Sequence, residues 1–392
     1  MKRRILLVLS IAVFIFAVAP AVNAQDAPKK WTFMVFLNAN NDLERFSIPN
    51  MRDMEKAGIS KDVNIIVQIS RIEKSARRYS VADRDPGAAE DDWGLTSKMI
   101  ADLGKVDMGD YNVMVDFFKW GQQNYPAQKY AFVIWNHGSG WIKNRAGDTR
   151  GISYDDESGN HISTQQLHTA LESIHGILGR PLDILGMDAC LMQMVEVCFE
   201  VRENVSYIAA SEETIPGTGW PYTLVCRPLI EDPGMSAADF AKLITDAYAK
   251  YYEISYAGTT MSVVDCAAVE TLARELDALA AVLMDSGEAG KSATQAARNS
   301  VQSFYYREHI DLGDFLKLLN EYNKDAKVGE AITRTQMAYQ KAVIKNAVTG
   351  HSCGAASGIA IYYPKFVFHD DYLKLKFAAY RWDDFLKYMT TF

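Results

Sequence analysis

The sequence predicts an α/β protein: a mostly parallel sheet flanked by helices on both faces, with a mainly helical addition at the C-terminal end. Three observations carry this. Short runs rich in β-branched and aromatic residues alternate with helical patterns through the first half. These runs are apolar almost throughout, as in strands buried on both faces. From about Ala237 the spacing of apolar residues turns mainly helical. The 392 residues, 48% hydrophobic and 23% charged, supply a core for one large domain or two ordinary ones. This composition excludes a disordered tail, a collagen-like fibre and a disulfide-dense scaffold.

In chain order, strands are expected at Trp31–Leu37, Val63–Ile69, Tyr130–Asn136, Asp183–Met187 and Val205–Ser211. Between them, helices are expected over Leu43–Ala57 and Tyr111–Gly121, from a Ser163 cap towards His175, and over Leu191–Arg202. Beyond them, helices over Ala237–Tyr252, Cys266–Ser286, Asp311–Tyr322 and Ala331–Val348 are interrupted by strands at Gly258–Val264 and Gly358–Tyr363, which would extend the sheet. Apart from residues 82–94, the long turn-rich stretch is Gly138–Asn160, and loops of that length in a compact domain are usually functional or disordered.

Residues 1–24 form a separate segment. Lys2, Arg3 and Arg4 precede an apolar run from Ile5 to Ala19, and Val22-Asn23-Ala24 places small residues before Gln25. This reads as a cleaved secretory signal, so the mature protein is expected to be secreted or periplasmic in a bacterium, without a membrane span. Its removal takes three positive charges from a net −8, leaving −11. With 49 acids against 41 Lys and Arg, no nucleic-acid surface is expected, whereas cationic peptides would be attracted. The five cysteines, Cys190, Cys198, Cys226, Cys266 and Cys353, are odd in number and lack metal-ligand spacing, so at least one thiol stays free in a monomer.

Two strand ends carry chemistry. Phe132-Val133-Ile134-Trp135 runs into Asn136-His137-Gly138, and Leu182–Met187 runs into Asp188-Ala189-Cys190. In a parallel sheet, functional residues gather beyond the carboxyl ends of the strands, so imidazole and thiol would emerge at one edge. A thiolate is a nucleophile, and a nearby imidazole can hold it ionised or protonate a leaving amine. Cys190 would open the helix Leu191–Arg202, whose N-terminal end favours a thiolate. The N–H groups of Gly138 and Cys190 would form an oxyanion hole. About 50 residues separate histidine from Ala-Cys, as in caspases.

On these motifs the chain resembles the clostripain family of the caspase–legumain–gingipain clan. Further supporting stretches are Asn40-Asn41-Asp42-Leu43-Glu44, Asp188-Ala189-Cys190-Leu191-Met192, and Ser211-Glu212-Glu213 leading to Pro216-Gly217-Thr218-Gly219-Trp220. The resemblance covers roughly residues 31–225. It implies a caspase-like sheet, a His137–Cys190 dyad, cleavage of protein or peptide substrates after exposed Arg or Lys, and self-cleavage into two chains that stay associated. The expected layout is a light chain over 25–150, a heavy-chain part of the core over 151–236 and the mainly helical region 237–392.

Asp188 shares strand parity with Cys190 and would pair with a substrate guanidinium at the base of the primary pocket, or else cap the following helix. Asp183 is the weaker candidate. Family members often carry a second acid in the Pro-Gly-x-Gly-Trp turn, where this chain has Thr218; Glu212 or Glu213 would supply charge instead. Self-processing needs an exposed basic site, and among Lys143, Arg145 and Arg150 the favoured bond is Arg150–Gly151. Calcium is raised by some relatives and by Asp155-Asp156-Glu157, but that run lacks EF-hand spacing and assigns no ligand. Two other readings stand beside the peptidase: a catalytically silent caspase-like surface-binding module, and cleavage after Asn or Asp, which conflicts with Asp188 in the pocket.

Overall fold

The computed structural model describes residues 28–85, 87–141, 151–254 and 258–390; the expected signal segment and Lys143, Arg145 and Arg150 lie outside the described residues. The first elements are β1 (Lys29–Ala39), α1 (Glu44–Glu55), β2 (Val63–Arg71), β3 (Arg77–Ser80), β4 (Lys98–Asp102), α2 (Tyr111–Asn124) and β5 (Ala127–Trp135). Next come β6 (Gly151–Asp155), β7 (Asn160–Ser163), α3 (Thr164–Leu178), β8 (Leu182–Asp188), α4 (Val195–Val201), β9 (Val205–Ala210) and α5 (Tyr222–Glu231). After these lie α6 (Ala237–Tyr251), β10 (Thr259–Asp265), α7 (Cys266–Asp285), α8 (Gly287–Ser300) and β11 (His309–Asp311). The chain ends with α9 (Leu312–Tyr322), α10 (Ala326–Ala342), β12 (Val343–Thr349), β13 (Ala360–Tyr362) and α11 (Trp382–Thr390).

Among the described residues the main sheet has nine strands in the order β12-β10-β9-β8-β5-β1-β2-β3-β4. The central run β9-β8-β5-β1-β2 is parallel, and an antiparallel pair extends it at each side. The side chains of β1 divide by parity: Met34 and Phe36 enter one core, and Trp31, Phe33, Val35 and Leu37 enter the other. The first core is covered by helices including α2, α3, α4, α7 and α10, and the second by α1, α5 and α6. Each fully buried Leu or Phe contributes roughly 1.5–3 kcal/mol relative to an exposed one, so both layers hold the sheet between them. Ser163 begins α3 with a reciprocal capping box to Gln166, as its position in the sequence indicates.

Three expected elements differ. The helix over Leu191–Arg202 begins only at Val195, because residues 191–194 find tertiary partners for their backbone. Leu191 N donates to Glu213 O, Gln193 N to Ser211 O, and Gln193 O accepts from Ala360 N. Leu191 itself has φ 63°, which no helix accommodates. The helix expected to reach Val348 stops at Ala342, where Val343–Thr349 pairs as a strand with β10. Edge pairing there outweighs a helical period that β-branched residues support poorly. Of the two later strands, β10 does extend the main sheet, whereas Ala360–Tyr362 pairs with β11 in a small sheet of its own.

The turn-rich stretch Gly138–Asn160 also contains structure: β6 pairs with β7 as a hairpin, bound to the sheet by buried polar groups. Asn38 Nδ2, Asn41 Nδ2 and Asn136 Nδ2 all donate to Tyr154 O, at 3.0, 2.8 and 3.1 Å. The buried Asp155 carboxylate accepts from Asn40 Nδ2 and the N–H groups of Met108, Glu157 and Ser158. Asp155 is thus a bracket between the hairpin and the loops after β1 and before α2. Asp155→Ala leaves these donors without their acceptor and is expected to cost about 2–4 kcal/mol. Urea unfolding checks this as a lower midpoint at unchanged slope.

Candidate active site

Strands β5 and β8 are parallel neighbours with Trp135 opposite Asp188, so the residues that follow leave the sheet side by side. His137 and Cys190 are each the second residue beyond that pair, and both line one cavity of about 150 Å³. Leu43, from the loop after β1, and the segment Ile215–Gly217, from the loop after β9, complete its walls with Asp188 and Gly219.

Cys190 is partly buried, and its sulfur is gripped by Ile215, whose N–H donates to Sγ at 3.2 Å. Burial pushes the thiol above its ordinary range; the Ile215 N–H opposes this, while Asp188 and Glu213 push it further up. The expected thiolate-favouring helix end is absent, since α4 starts five residues later. Both effects favour the neutral thiol over the thiolate when the cavity is empty. His137 is 40% exposed, and its Nε2 lies 2.6 Å from Asp42 Oδ1. Among the described residues no hydrogen bond joins the imidazole to the sulfur; each is held by a different loop.

Gly138 lies where a Cβ would approach Cys190 O to 2.5 Å and the Ala189 side chain to 3.0 Å, so only glycine lets the two strand ends close together. Neither the Gly138 nor the Cys190 N–H donates a backbone hydrogen bond among the described residues.

Asp188 ends β8 and is buried. Its Oδ2 accepts from Trp220 N at 3.0 Å and Tyr222 Oη at 2.9 Å, whereas Oδ1 has no partner among the described residues. Burial pushes the carboxyl up to about 7, against the downward pull of those two donors. It caps no helix, which removes the alternative role. Asp183, at the opposite end of the same strand, accepts from Tyr130 N and pairs with Arg180, outside the cavity. The other acids considered also point elsewhere. Glu212 is buried against Gly358 N and beside Asp311, and Glu213 Oε1 accepts from Thr214 N. Thr218 places a hydroxyl 2.7 Å from Tyr252 Oη, a neutral pair where a second acid would add charge.

Of the proposed processing bond, Arg150 lies outside the described residues. Gly151 starts β6, its N–H donating to Tyr154 Oη at 3.0 Å and its carbonyl accepting from Ser139 N at 3.1 Å. Of the acidic run considered for calcium, Asp155 brackets the hairpin and Glu157 pairs with Lys105. Among the described residues no group of three or more His, Cys, Asp or Glu is placed to hold a metal ion. Cys198, Cys226, Cys266 and Cys353 are buried free thiols. Sequence reasoning missed the contact of Asp42 with His137; its only signal was the Asn40-Asn41-Asp42 run at a strand end.

The sheet order and the paired strand ends define a caspase-like fold with a histidine and a cysteine at one edge. The sequence profile of the clostripain family matches residues 35–386, and the chain belongs to that family of cysteine peptidases. Clostripain of Hathewaya histolytica is 28% identical over 221 residues, which is 50% of this chain and 41% of that protein's length. A secreted C11 cysteine protease from Bacteroides thetaiotaomicron, solved with an irreversible peptide inhibitor, superimposes with a TM-score of 0.67 at 19% identity, covering 92% of this chain and 99% of that one. An inactive zymogen C11 protease from Parabacteroides distasonis gives 0.68 at 17% identity, covering 90% and 97%. At these identities the two structures speak to the fold. No helix among the described residues is long and apolar enough to cross a membrane.

The raised thiol generates a test. Alkylation of Cys190 by iodoacetamide is expected to accelerate only as pH rises beyond the ordinary thiol range. Asp188→Asn, which removes a nearby negative charge, is expected to move that midpoint to lower pH. Mass spectrometry of the modified peptide reads both.

Proposed function

We propose that the chain is a secreted endopeptidase that cleaves after Arg or Lys through His137 and Cys190, and that it is activated by cleavage at Arg150–Gly151. The observation that carries the specificity is the buried Asp188 Oδ1, an acceptor without a partner in the same cavity as the thiol. A buried carboxyl with an unfilled acceptor is costly unless a donor arrives, and a cationic P1 side chain supplies both charge and donor. A P1 Asp would bring a like charge to that atom, and a P1 Asn could donate to it without supplying the positive charge.

The chemistry follows from the positions. With the P1 cation against Asp188, the substrate carbonyl lies at the mouth of the cavity near Cys190. Transfer of the thiol proton to His137 gives the thiolate, which attacks the carbonyl carbon and forms the C–S bond as the carbonyl π pair moves to the oxygen. The N–H groups of Gly138 and Cys190 receive the developing oxyanion. His137 donates a proton to the leaving amine as the C–N bond breaks, then takes one from the water that hydrolyses the thioester. The cation also offsets the Asp188 charge that opposes thiol ionisation, so bound substrate favours the reactive form of the nucleophile.

In the two-chain form, residues 25–150 would carry β1–β5 and the remainder β6 onward. Pairing of β5 with β8, the hairpin bracket at Tyr154 and the shared cores would keep the pieces together.

Products from a mixed peptide library are expected to end in Arg or Lys; products ending in Asn, Asp or apolar residues would overturn the specificity. Asp188→Asn is expected to lower kcat/KM for an Arg amide by about 30-fold or more, since losing one partner of a buried charge pair costs roughly 2–5 kcal/mol. For the wild type, kcat/KM for cationic substrates falls as pH drops through about 7, because Asp188 then takes up a proton and the pocket becomes neutral. A pH-rate series without such a limb in wild type contradicts this assignment. Cys190→Ala purified free of other proteases is expected to stay one chain; cleavage after Arg150 in that variant would assign processing to another enzyme.

A further inference from the structure

Three adjacent strands end beside the cavity. Leu37 of β1 lies opposite Trp135 of β5, which lies opposite Asp188 of β8. The loops beyond them carry Asp42, His137 and Cys190. At this edge the His137 Nε2 lies 2.6 Å from the Asp42 side chain. Asp42 is 81% exposed, and an exposed ion pair contributes little to folding. Stability alone therefore gives no reason for the contact.

The backbone on either side of that pair is held rigidly. Asn41 and Asn136, which immediately precede Asp42 and His137, are both buried, and their amides converge on the single acceptor Tyr154 O. Asn41 Oδ1 also accepts from Leu43 N at 3.0 Å, and Asn136 Oδ1 accepts from Tyr154 N at 2.7 Å. An exposed acid thus rests on a buried amide scaffold that it shares with the histidine it touches. Pre-organisation of this kind sets a ring orientation without immobilising long side chains.

We propose that Asp42 is a positioning residue for His137: its carboxylate accepts from Nε2–H, so that Nδ1 is the nitrogen turned to the reaction. This rests on the peptidase reading above. With Nε2–H engaged by Asp42, the proton given to the leaving amine comes from Nδ1, and the one taken from water during thioester hydrolysis returns there. Asp42 fixes the tautomer and offsets the charge of the imidazolium. The amide oxygen of an asparagine at this position would keep the acceptor and lose the charge.

The test compares wild type, Asp42→Ala and Asp42→Asn on an Arg anilide and on an Arg p-nitrophenyl ester, reading kcat/KM for each. The anilide needs a proton on its leaving nitrogen, whereas nitrophenolate leaves without one. Asp42→Ala is expected to lose about 10- to 100-fold on the anilide, the usual cost of removing an orienting partner, and much less on the ester. Asp42→Asn is expected to recover a large part of the anilide loss. Iodoacetamide labelling of Cys190 is expected to be unchanged in both variants, which sets this role apart from a general disturbance of the site. Anilide activity of Asp42→Ala within twofold of wild type overturns the proposal, as do equal losses on both substrates. Wild type inactive on these and on the matching Lys substrates overturns the peptidase reading itself.

Discussion

In the parallel pairing of β5 with β8, Trp135 lies opposite Asp188, and the chemistry at the sheet edge depends on that register. It sets His137 and Cys190 at equal distances beyond neighbouring strands and makes Asp188 the last strand residue, with its carboxyl buried. A shift of one residue would turn each side chain of β8 to the other face, exchanging the core residues and removing Asp188 from the cavity. Close approach maintains the pairing where it ends. Gly138 passes the Cys190 carbonyl with no room for a side chain, and Gly186 inside β8 admits Trp220, whose ring would lie 2.7 Å from a Cβ there.

The electrostatics of the cavity follow from burial at this edge. Asp188 keeps one oxygen on Trp220 and Tyr222 and leaves the other without a donor, while the same burial and charge hold Cys190 as a thiol. Groups placed in this way resist ionisation when the pocket is empty. A positive side chain entering the pocket reverses the balance for both, so recognition and activation share one cause under the peptidase reading. The neutral Thr218–Tyr252 pair leaves Asp188 as the acid lining the pocket.

A second constraint is the convergence of Asn38, Asn41 and Asn136 on Tyr154 O. One carbonyl of β6 ties together the loop after β1, the loop after β5 and the hairpin that begins at Gly151. Buried amide networks of this kind are costly if incomplete and rigid when satisfied. Here the network fixes the approach of Asp42 and His137 while belonging, through β6, to the segment that follows the proposed processing bond.

Much of the architecture was legible in the sequence because buried parallel strands are short continuous apolar runs, and because Ser163 and the apolar spacing mark their helices directly. His137, Gly138, Asp188 and Cys190 could be placed at one edge from chain order alone, since parallel strands bring their carboxyl ends together. Local pattern failed where distant segments compete for the backbone. Leu191–Met194 is taken from a helix by Ser211, Glu213 and Ala360, and Val343–Thr349 by β10. The hairpin inside Gly138–Asn160 was hidden because much of its attachment is polar and only Ile152 and Ile162 mark its apolar side. The sequence by itself determined the strand and helix inventory of the central sheet and the residue types at its edge, because periodicity and strand ends are local properties. Only the tertiary structure decided that Cys190 sits at no helix terminus, that one oxygen of Asp188 is unpartnered and that Asp42 meets His137. Each of these depends on which remote group arrives to satisfy, or leave unsatisfied, a polar atom.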